Sequence, residues 1–306
     1  NIIRLARAKD IIFAQDPVSV GLPSMIAARI LRKKFVLKIV GDYAWEQFQL
    51  RNQRFITPEE FQRERYDFVT ELRRFIERWV AKHAAHIIVP SQYLAGIVAM
   101  WGVKGEYISV IYNTFDTPTM ALTKEETRGR LNVSGNILLS IGRLVPWKGF
   151  SVLLDVAARL HTEIPDLRCI IVGDGPDKTF LQEKIRQLNL QRIVQLTGAL
   201  SHEETIMFMR AADIFVLNTG YEGLSHVLLE AMALELPIIT TAVGGNVEVV
   251  GHEKTGLLVP YNDKAALGQA IRRLLNDEAL RLRIAVNVKE TLPKFALQQM
   301  IDETIN

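Results

Sequence analysis

The chain has 306 residues, 48% of them apolar and 23% charged, with a net charge of +3. This is the composition of a soluble globular protein long enough for two domains of ordinary size. The single cysteine, Cys169, excludes a disulfide framework and fits a reducing compartment. No stretch reads as a membrane-spanning helix, and no signal peptide is visible at Asn1.

Charge is uneven. Residues 1–116 carry 17 Lys and Arg against 12 Asp and Glu; the remainder carries 20 against 22. A basic first half suits a negatively charged acceptor or an anionic membrane face, and ordinary solvation explains it equally well.

Asn1–Lys9 reads as the end of a helix, Asp10–Gln15 as a buried strand, Leu22–Leu31 as a helix and Phe35–Val40 as the next strand. This βαβ alternation implies a parallel sheet, with residues past the strand ends lining a crevice. Asp42 follows the second strand directly, so it is a candidate to meet an acceptor hydroxyl, with helix capping as the equal alternative. Thr57-Pro58-Glu59-Glu60 is a helix start, and the helix is expected to run to His83. Along it Phe61, Phe68, Leu72, Phe75, Ile76 and Trp79 recur at helical spacing, while Arg63, Arg65, Arg73, Arg74, Arg78 and Lys82 supply a polar side. The periodicity favours an apolar face toward the core over an aromatic, basic surface for a lipid-linked acceptor. His83 and His86 have no ligand cluster around them and make no metal site. Ala85–Val89 and Tyr107–Tyr112 are further strands, separated by a helix over Gln92–Trp101 that Ser91 caps. Residues 117–135, with Pro118 and the polar run Thr123–Arg130, read as a linker between a first domain (1–116) and a second (136–290).

In the second half Asn136–Ile141 is a buried strand, and the loop after it carries Arg143 and Lys148, five apart. Two cations in one flexible loop clamp phosphoryl groups, one as a fixed fork and one as a mobile point charge. Arg168–Val172 leads into Gly173-Asp174-Gly175-Pro176, which lacks the third glycine of a dinucleotide fingerprint but suits close approach to a nucleotide. Ile193–Thr197 leads into Gly198-Ala199-Leu200, and Ser201-His202-Glu203-Glu204 opens a helix.

The central stretch is Asp213–Gly245. Strand Ile214–Leu217, a turn through Gly223, a helix over Ser225–Leu234 and strand Ile238–Thr241 follow in order. The amides of Gly223, Leu224 and Ser225 at that helix start suit a diphosphate, because a helix N-terminus holds unpaired N–H groups and partial positive charge. Glu222, at the mouth before the helix, could take hydroxyls from a second sugar. Glu230, roughly 12 Å further along if the interval were all helical, would accept both hydroxyls of a ribose. An exposed loop Glu and a half-solvated helix Glu are the plain alternative.

Glu222 and Glu230 with their seven-residue spacing, the Ser140–Gly149 segment, Val172–Pro176 and Thr240–Gly245 resemble the signatures of retaining glycosyltransferases of family 4. The resemblance covers about half the chain. It implies the GT-B architecture, an α/β fold of two Rossmann-like domains with parallel sheets facing across a cleft. The first domain would be incomplete, lacking its opening βα units, and the last helix (291–306) would return to it. It implies that Gly173, Asp174, Gly175, Gly198, Ala199 and Leu200 border the nucleotide and base. Gly41 stands near the position where many members carry a His, and Asn113 near the acceptor side. The implied reaction moves a sugar from a nucleotide-diphosphate-sugar to a hydroxyl of a glycan or lipid-linked acceptor, with retention. No Asp-x-Asp pair occurs, so the cations and helix end are expected to neutralise the leaving group without a metal or other cofactor. A cytoplasmic protein, peripheral at the inner membrane face and without nucleic-acid partner, fits this picture. A GT-B nucleotide-sugar epimerase or hydrolase, and a truncated nucleotide-sugar-binding protein without activity, are the alternatives.

Overall fold

The computed structural model describes residues 2–52, 54–115 and 122–305. Its contacts divide it into two compact units: Asn1–Asn113 with Glu222–Leu224 and Glu303–Asn306, and Thr114–Tyr221 with Ser225–Asp302.

The first unit runs α1 (Ile2–Ala6), β1 (Ile11–Gln15), α2 (Leu22–Leu31), β2 (Lys34–Lys38), α3 (Tyr43–Gln49), α4 (Pro58–Arg63), α5 (Phe68–Lys82), β3 (His86–Val89), α6 (Gln92–Met100) and β4 (Ile108–Val110). The four strands are parallel and lie in chain order β1-β2-β3-β4. Their core holds Ile12, Met25, Phe35, Leu37, Ile87, Leu94 and Ile97, all buried. Edge strand β1 alternates, with Ile12 and Ala14 inward and Ile11 and Phe13 half exposed.

Two expectations for this unit are corrected. The helix expected from Thr57 to His83 is two helices, α4 and α5, parted at Glu64–Asp67. Asp67 caps α5 by accepting from the Val69 and Thr70 amides. The carbonyls freed at the break are taken by Arg74, which donates to Glu64 O (2.8 Å) and Gln62 O (3.0 Å) while its guanidinium stacks 5.0 Å from the Phe61 ring centre. A buried arginine thus supplies the hydrogen bonds that a continuous helix would have made internally. The second correction concerns which face of α5 is inside. Its buried residues are Thr70, Arg74, Glu77, Val80 and Ala81, whereas Phe68 (80%), Phe75 (61%) and Leu72 (45%) are exposed. The expected stripe divides: Ile76 and Trp79 pack against the core, while Phe68, Leu72 and Phe75 turn outward beside an inward side occupied by hydrogen-bonded polar groups.

The second unit runs α7 (Lys124–Leu131), β5 (Asn136–Ile141), α8 (Phe150–His161), β6 (Leu167–Val172), α9 (Lys178–Gln187), β7 (Val194–Gly198), α10 (His202–Ala211), β8 (Ile214–Leu217), α11 (His226–Ala233), β9 (Ile238–Thr241), α12 (Asn246–Val249), β10 (Leu257–Val259), α13 (Lys264–Asn276), α14 (Glu278–Thr291) and α15 (Leu297–Ile305). Its six strands are parallel in the order β10-β9-β8-β5-β6-β7. The strands β5, β6, β8 and β9 are buried on both faces, the first three as near-continuous apolar runs, as a sheet covered by helices on each side requires. The stretch read as a linker is also corrected, because it contains α7. Thr123 and Glu126 form a reciprocal cap, and Lys124 and Arg128 both bond the Asp213 carboxylate at 2.6 Å. Pro118 and the other residues of 116–121 lie outside the described residues. Among those described, no helix is long and apolar enough to cross a membrane.

Candidate active site

The strand order of the second unit reverses between β5 and β8. The chain steps outward from β5 through β6 and β7, then returns to the other side of β5. At such a switch point the loops leaving the two strands diverge and open a crevice at the carboxyl ends. Here those loops are Gly142–Gly149 after β5 and Asn218–Tyr221 after β8.

The two loops are pinned together. Gly220 N donates to Trp147 O at 2.7 Å, Thr219 Oγ1 to Trp147 O at 3.3 Å, and Asn218 Nδ2 to Gly149 O at 3.1 Å. Gly149 has φ +59°, and a Cβ there would stand 2.2 Å from Asn218 O, so only glycine allows this approach. Thr240 and Thr241 of β9 brace the second loop from behind through Leu217 O and Thr219 O. Lys148 is therefore held, half buried, beside the turn that leads to α11, and Arg143 stands exposed on the same loop.

Helix α11 begins at Ser225, whose side chain makes no cap hydrogen bond, and its first turn contains no acid. Its positive pole thus meets no acid within its own first turn. One turn in, Glu230 is nearly buried (14% side-chain exposure), with Oε1 3.7 Å from His202 Nδ1. His202 opens α10 behind the reciprocal Ser201–Glu204 cap. That pairing sets Glu230 next to the segment that follows Gly198-Ala199-Leu200. Nothing in the sequence pattern pointed to it, since the four residues Ser201–Glu204 read as a helix start and nothing more.

The glycines at 173 and 175 are accounted for by backbone packing. A Cβ at Gly173 would lie 2.0 Å from Gly142 O, and one at Gly175 2.4 Å from Leu144 O. Gly173 N donates to Gly198 O (2.9 Å), Leu144 N to Asp174 O and Asp177 N to Leu144 O (3.0 Å each). Three strand-end loops are knitted into one rim. Asp174 does not cap α9, which starts from Asp177. Its carboxylate accepts from Gly175 N and Lys178 Nζ, and the bond to Lys178, then that to Gly175, holds it below the usual carboxylate range. Gly198 has φ +79° and open space at its Cβ position, apart from Lys178 Nζ at 3.9 Å.

Glu222, Gly223 and Leu224 group with the first unit. Ser91 caps α6, accepting from Leu94 N, and donates to Gly223 O at 2.6 Å; Asn113 Nδ2 donates to Leu224 O at 3.3 Å. The position a Cβ would take at Gly223 is 2.6 Å from Val40 O, so the missing side chain makes room for backbone. Glu222 is half buried.

Asp42 behaves as the cap among its two sequence readings. It is 1% exposed, Oδ1 accepts from Trp45 N (2.8 Å) and Oδ2 from Gln62 Nε2 (2.7 Å). Burial pushes its carboxyl up to about 6, against the bonds from Trp45 and Gln62 and the charges of Arg74 and Arg78. Sequence reasoning missed its neighbour Glu77, also 1% exposed, which accepts from Tyr43 N (2.8 Å) and Ala44 N (3.2 Å). Burial, and then the nearby Asp42 charge, raise Glu77 well above the usual range. Cys169 is buried in β6, and that burial pushes its thiol up to about 12. Among the described residues no group of three or more His, Cys, Asp or Glu has the geometry to hold a metal ion.

Comparison with known proteins identifies the family and the fold. The family described as "Glycosyl transferases group 1" matches residues 123–291, and "Glycosyltransferase Family 4" matches residues 1–118. A 2-deoxystreptamine N-acetyl-D-glucosaminyltransferase of Niallia circulans is 33% identical over 174 residues, 56% of this chain and 43% of that protein. The lipopolysaccharide core biosynthesis glycosyltransferase LpsD of Rhizobium meliloti strain 1021 is 34% identical over 156 residues, 51% of this chain and 44% of that protein. The matched parts thus span less than half the length of these curated relatives. Among solved structures, Anabaena HepE in complex with UDP-glucose superposes with a TM-score of 0.83 at 25% identity, over 99% of this chain and 80% of that one. The two parallel-sheet α/β units are those of the GT-B fold.

Proposed function

The chain belongs to the group 1 glycosyl transferases, and from that premise we propose that it moves a sugar from a nucleotide-diphosphate-sugar to a hydroxyl acceptor. The anomeric configuration is retained and no metal takes part. One observation carries this reading: the cation-bearing Gly142–Gly149 loop is pinned to the turn before an uncapped helix N-terminus, at the switch point of the second sheet.

Arg143, Lys148 and the amides of Gly223, Leu224 and Ser225 are assigned to the diphosphate, whose charge grows as the bond to the sugar breaks. Glu230 is assigned to the ribose, with Gly173, Asp174, Gly175, Gly198, Ala199 and Leu200 around the nucleotide and base. Glu222 orients the donor sugar. Asp42, with one oxygen capping α3 and the other bonded to Gln62, is assigned to shaping the acceptor side.

The outward Phe68, Leu72 and Phe75 of α5 and the basic balance of residues 1–116 support contact with an anionic membrane or lipid-linked acceptor. Co-sedimentation with phosphatidylglycerol vesicles tests that contact, and no binding at low salt would remove it.

The reaction is tested by screening UDP-, GDP- and ADP-glucose for thermal stabilisation. Transfer is then assayed with D-glucose, 2-deoxystreptamine and lipopolysaccharide core as acceptors, with and without excess EDTA. The expected result is stabilisation by one nucleotide series and acceptor-dependent release of the diphosphate, unchanged by EDTA, with an α-linked product. Release of free or rearranged sugar at the same rate without acceptor would overturn it in favour of a hydrolase or epimerase.

A further inference from the structure

Helix α3 is capped twice. Asp42, its own cap residue, takes the Trp45 amide; Glu77, from the middle of α5, takes the amides of Tyr43 and Ala44. One carboxylate is the ordinary solution to a helix start. A second, reaching across 34 residues of sequence and buried beside the first, is an arrangement in which two acids disfavour each other's ionisation. Bringing them together costs stability that an apolar residue at position 77 would not cost. The same helix also secures the far side of the bend: Arg78 donates to Gln62 Oε1 at 3.1 Å, and Gln62 in turn donates to Asp42. What this holds still is the turn Gly41–Tyr43 at the carboxyl end of β2. That turn lines a cavity of about 130 Å³ with Asp16, Pro17, Val40 and Glu46. Asp16, at the end of β1, has φ +79°, a conformation that side chains rarely adopt, so the cavity's other wall is conformationally strained as well. The turn that Asp42 and Glu77 hold and the strained Asp16 thus line one small cavity at the strand ends.

We propose that Glu77 is a positioning residue for the acceptor: by gripping the Tyr43 and Ala44 amides it fixes the Gly41–Tyr43 bend as a wall of the acceptor's subsite. This rests on the transferase reading above. Glu77 touches no substrate. It acts through the backbone it holds, and small displacements of such a wall are expensive for a bound hydroxyl that must meet its reaction partner in line.

The test compares wild type with Glu77→Gln, which offers one carbonyl oxygen to two amides, and Glu77→Asp, which keeps the charge one methylene short. UDP affinity is read by calorimetry, KM and kcat by transfer from the donor and to the acceptor that the screen identifies, and amide exchange on the peptide covering residues 40–46. For Glu77→Gln the expected result is faster exchange there and an acceptor KM raised about tenfold, with UDP affinity within about twofold of wild type. Glu77→Asp should lie between the two. An unchanged acceptor KM in folded Glu77→Gln overturns the proposal, as does a parallel loss of UDP affinity, which would mean general damage. If Glu77→Gln does not fold, the same split in Glu77→Asp decides. A wild type that transfers from none of the three donors overturns the transferase reading itself, and is distinguishable from either of these results.

Discussion

Two helix starts at strand ends, one in each unit, have been given opposite chemistry. Helix α3, after β2, has its first three amides bonded to the buried carboxylates of Asp42 and Glu77. Helix α11, after β8, has no side-chain cap and no acid in its first turn, and the loop pinned to the turn before it carries Arg143 and Lys148. Both helices begin at the carboxyl end of a parallel strand, but only the second sheet reverses its strand order there. The comparison teaches that a helix N-terminus is an anion site only where the chain has not already filled it. α3 is filled from within, whereas α11 has no side-chain cap from Ser225 and no acid in its first turn, which is why the proposed diphosphate is assigned there.

The largest effect expected from this difference lies on the α11 side. Lys148→Ala and Glu222→Ala should each lower turnover by about 100-fold or more, the scale of losing one preorganised group at a charge-developing centre. Neither should move the melting temperature much, since neither side chain lies in the hydrophobic core. Turnover near wild type in both would break the assignment of this end of the molecule to the donor.

The comparison itself is sharpened by making α11 resemble α3. Ser225→Asp places a carboxylate at the open cap, and should weaken UDP, measured by calorimetry, by at least about tenfold through like-charge repulsion. Ser225→Ala removes a side chain that makes no cap bond, and should change UDP affinity by no more than about threefold. Equal affinity in Ser225→Asp and wild type would show that the phosphates lie elsewhere.

A smaller effect is expected at Glu230. If its carboxylate takes the ribose diol, Glu230→Ala should lose about tenfold in UDP affinity and also lose most of the preference for UDP over its 2′-deoxy analogue. His202, 3.7 Å away, should matter only while Glu230 is present, so a double-mutant cycle over the pair should show non-additivity. Undiminished discrimination at the 2′-position in Glu230→Ala would move the ribose away from this residue.

How much of this was legible in the sequence follows from where the determining contacts lie. The strands Asn136–Ile141, Ile214–Leu217 and Ile238–Thr241 have the observed bounds because each is an apolar run punctuated by turn residues or proline, which is local information. The cations at 143 and 148 and the glutamates at 222 and 230 were legible as a pattern of residue types and spacing. The break between α4 and α5 was not, because the helical period runs through it and the stabilising contact is Arg74 reaching back 10 and 12 residues to two carbonyls. Nor was the inward side of α5, since buried Thr70, Arg74 and Glu77 look like a solvated stripe until their partners are known. Helix α7 was hidden by its polar composition, and the residue that anchors it, Asp213, lies more than 80 positions away. At Gly173 and Gly175 the need for glycine was legible but its reason was not, because a pattern cannot tell close approach of a ligand from close approach of the chain's own backbone.

The smallest expected effect is on stability against pH, and it tests the closed side of the comparison. Burial raises Asp42 from the usual carboxylate value near 4 to about 6. In that interval the folded protein keeps a proton that the unfolded chain has released. The stability tied to this proton is fully present below about pH 4 and is lost as pH rises through about 6. Glu77 is displaced in the same direction and adds the same sign. The exposed carboxylates Glu60 and Asp67, which their Thr57 and Thr70 partners hold below the usual range, act oppositely and at lower pH, so the raw stability curve mixes both. The difference between Asp42→Asn and wild type removes that mixture. Asn retains the cap to Trp45 and cannot ionise, so whatever it costs through Gln62 is a constant offset. The slope is the readout. The melting temperature of Asp42→Asn minus that of wild type should climb by a few degrees between about pH 4 and pH 6 and level off above. A flat difference across that range would mean that Asp42 ionises as freely as a surface carboxylate, and that the first unit's helix start is not sealed from solvent in the way its hydrogen bonds imply.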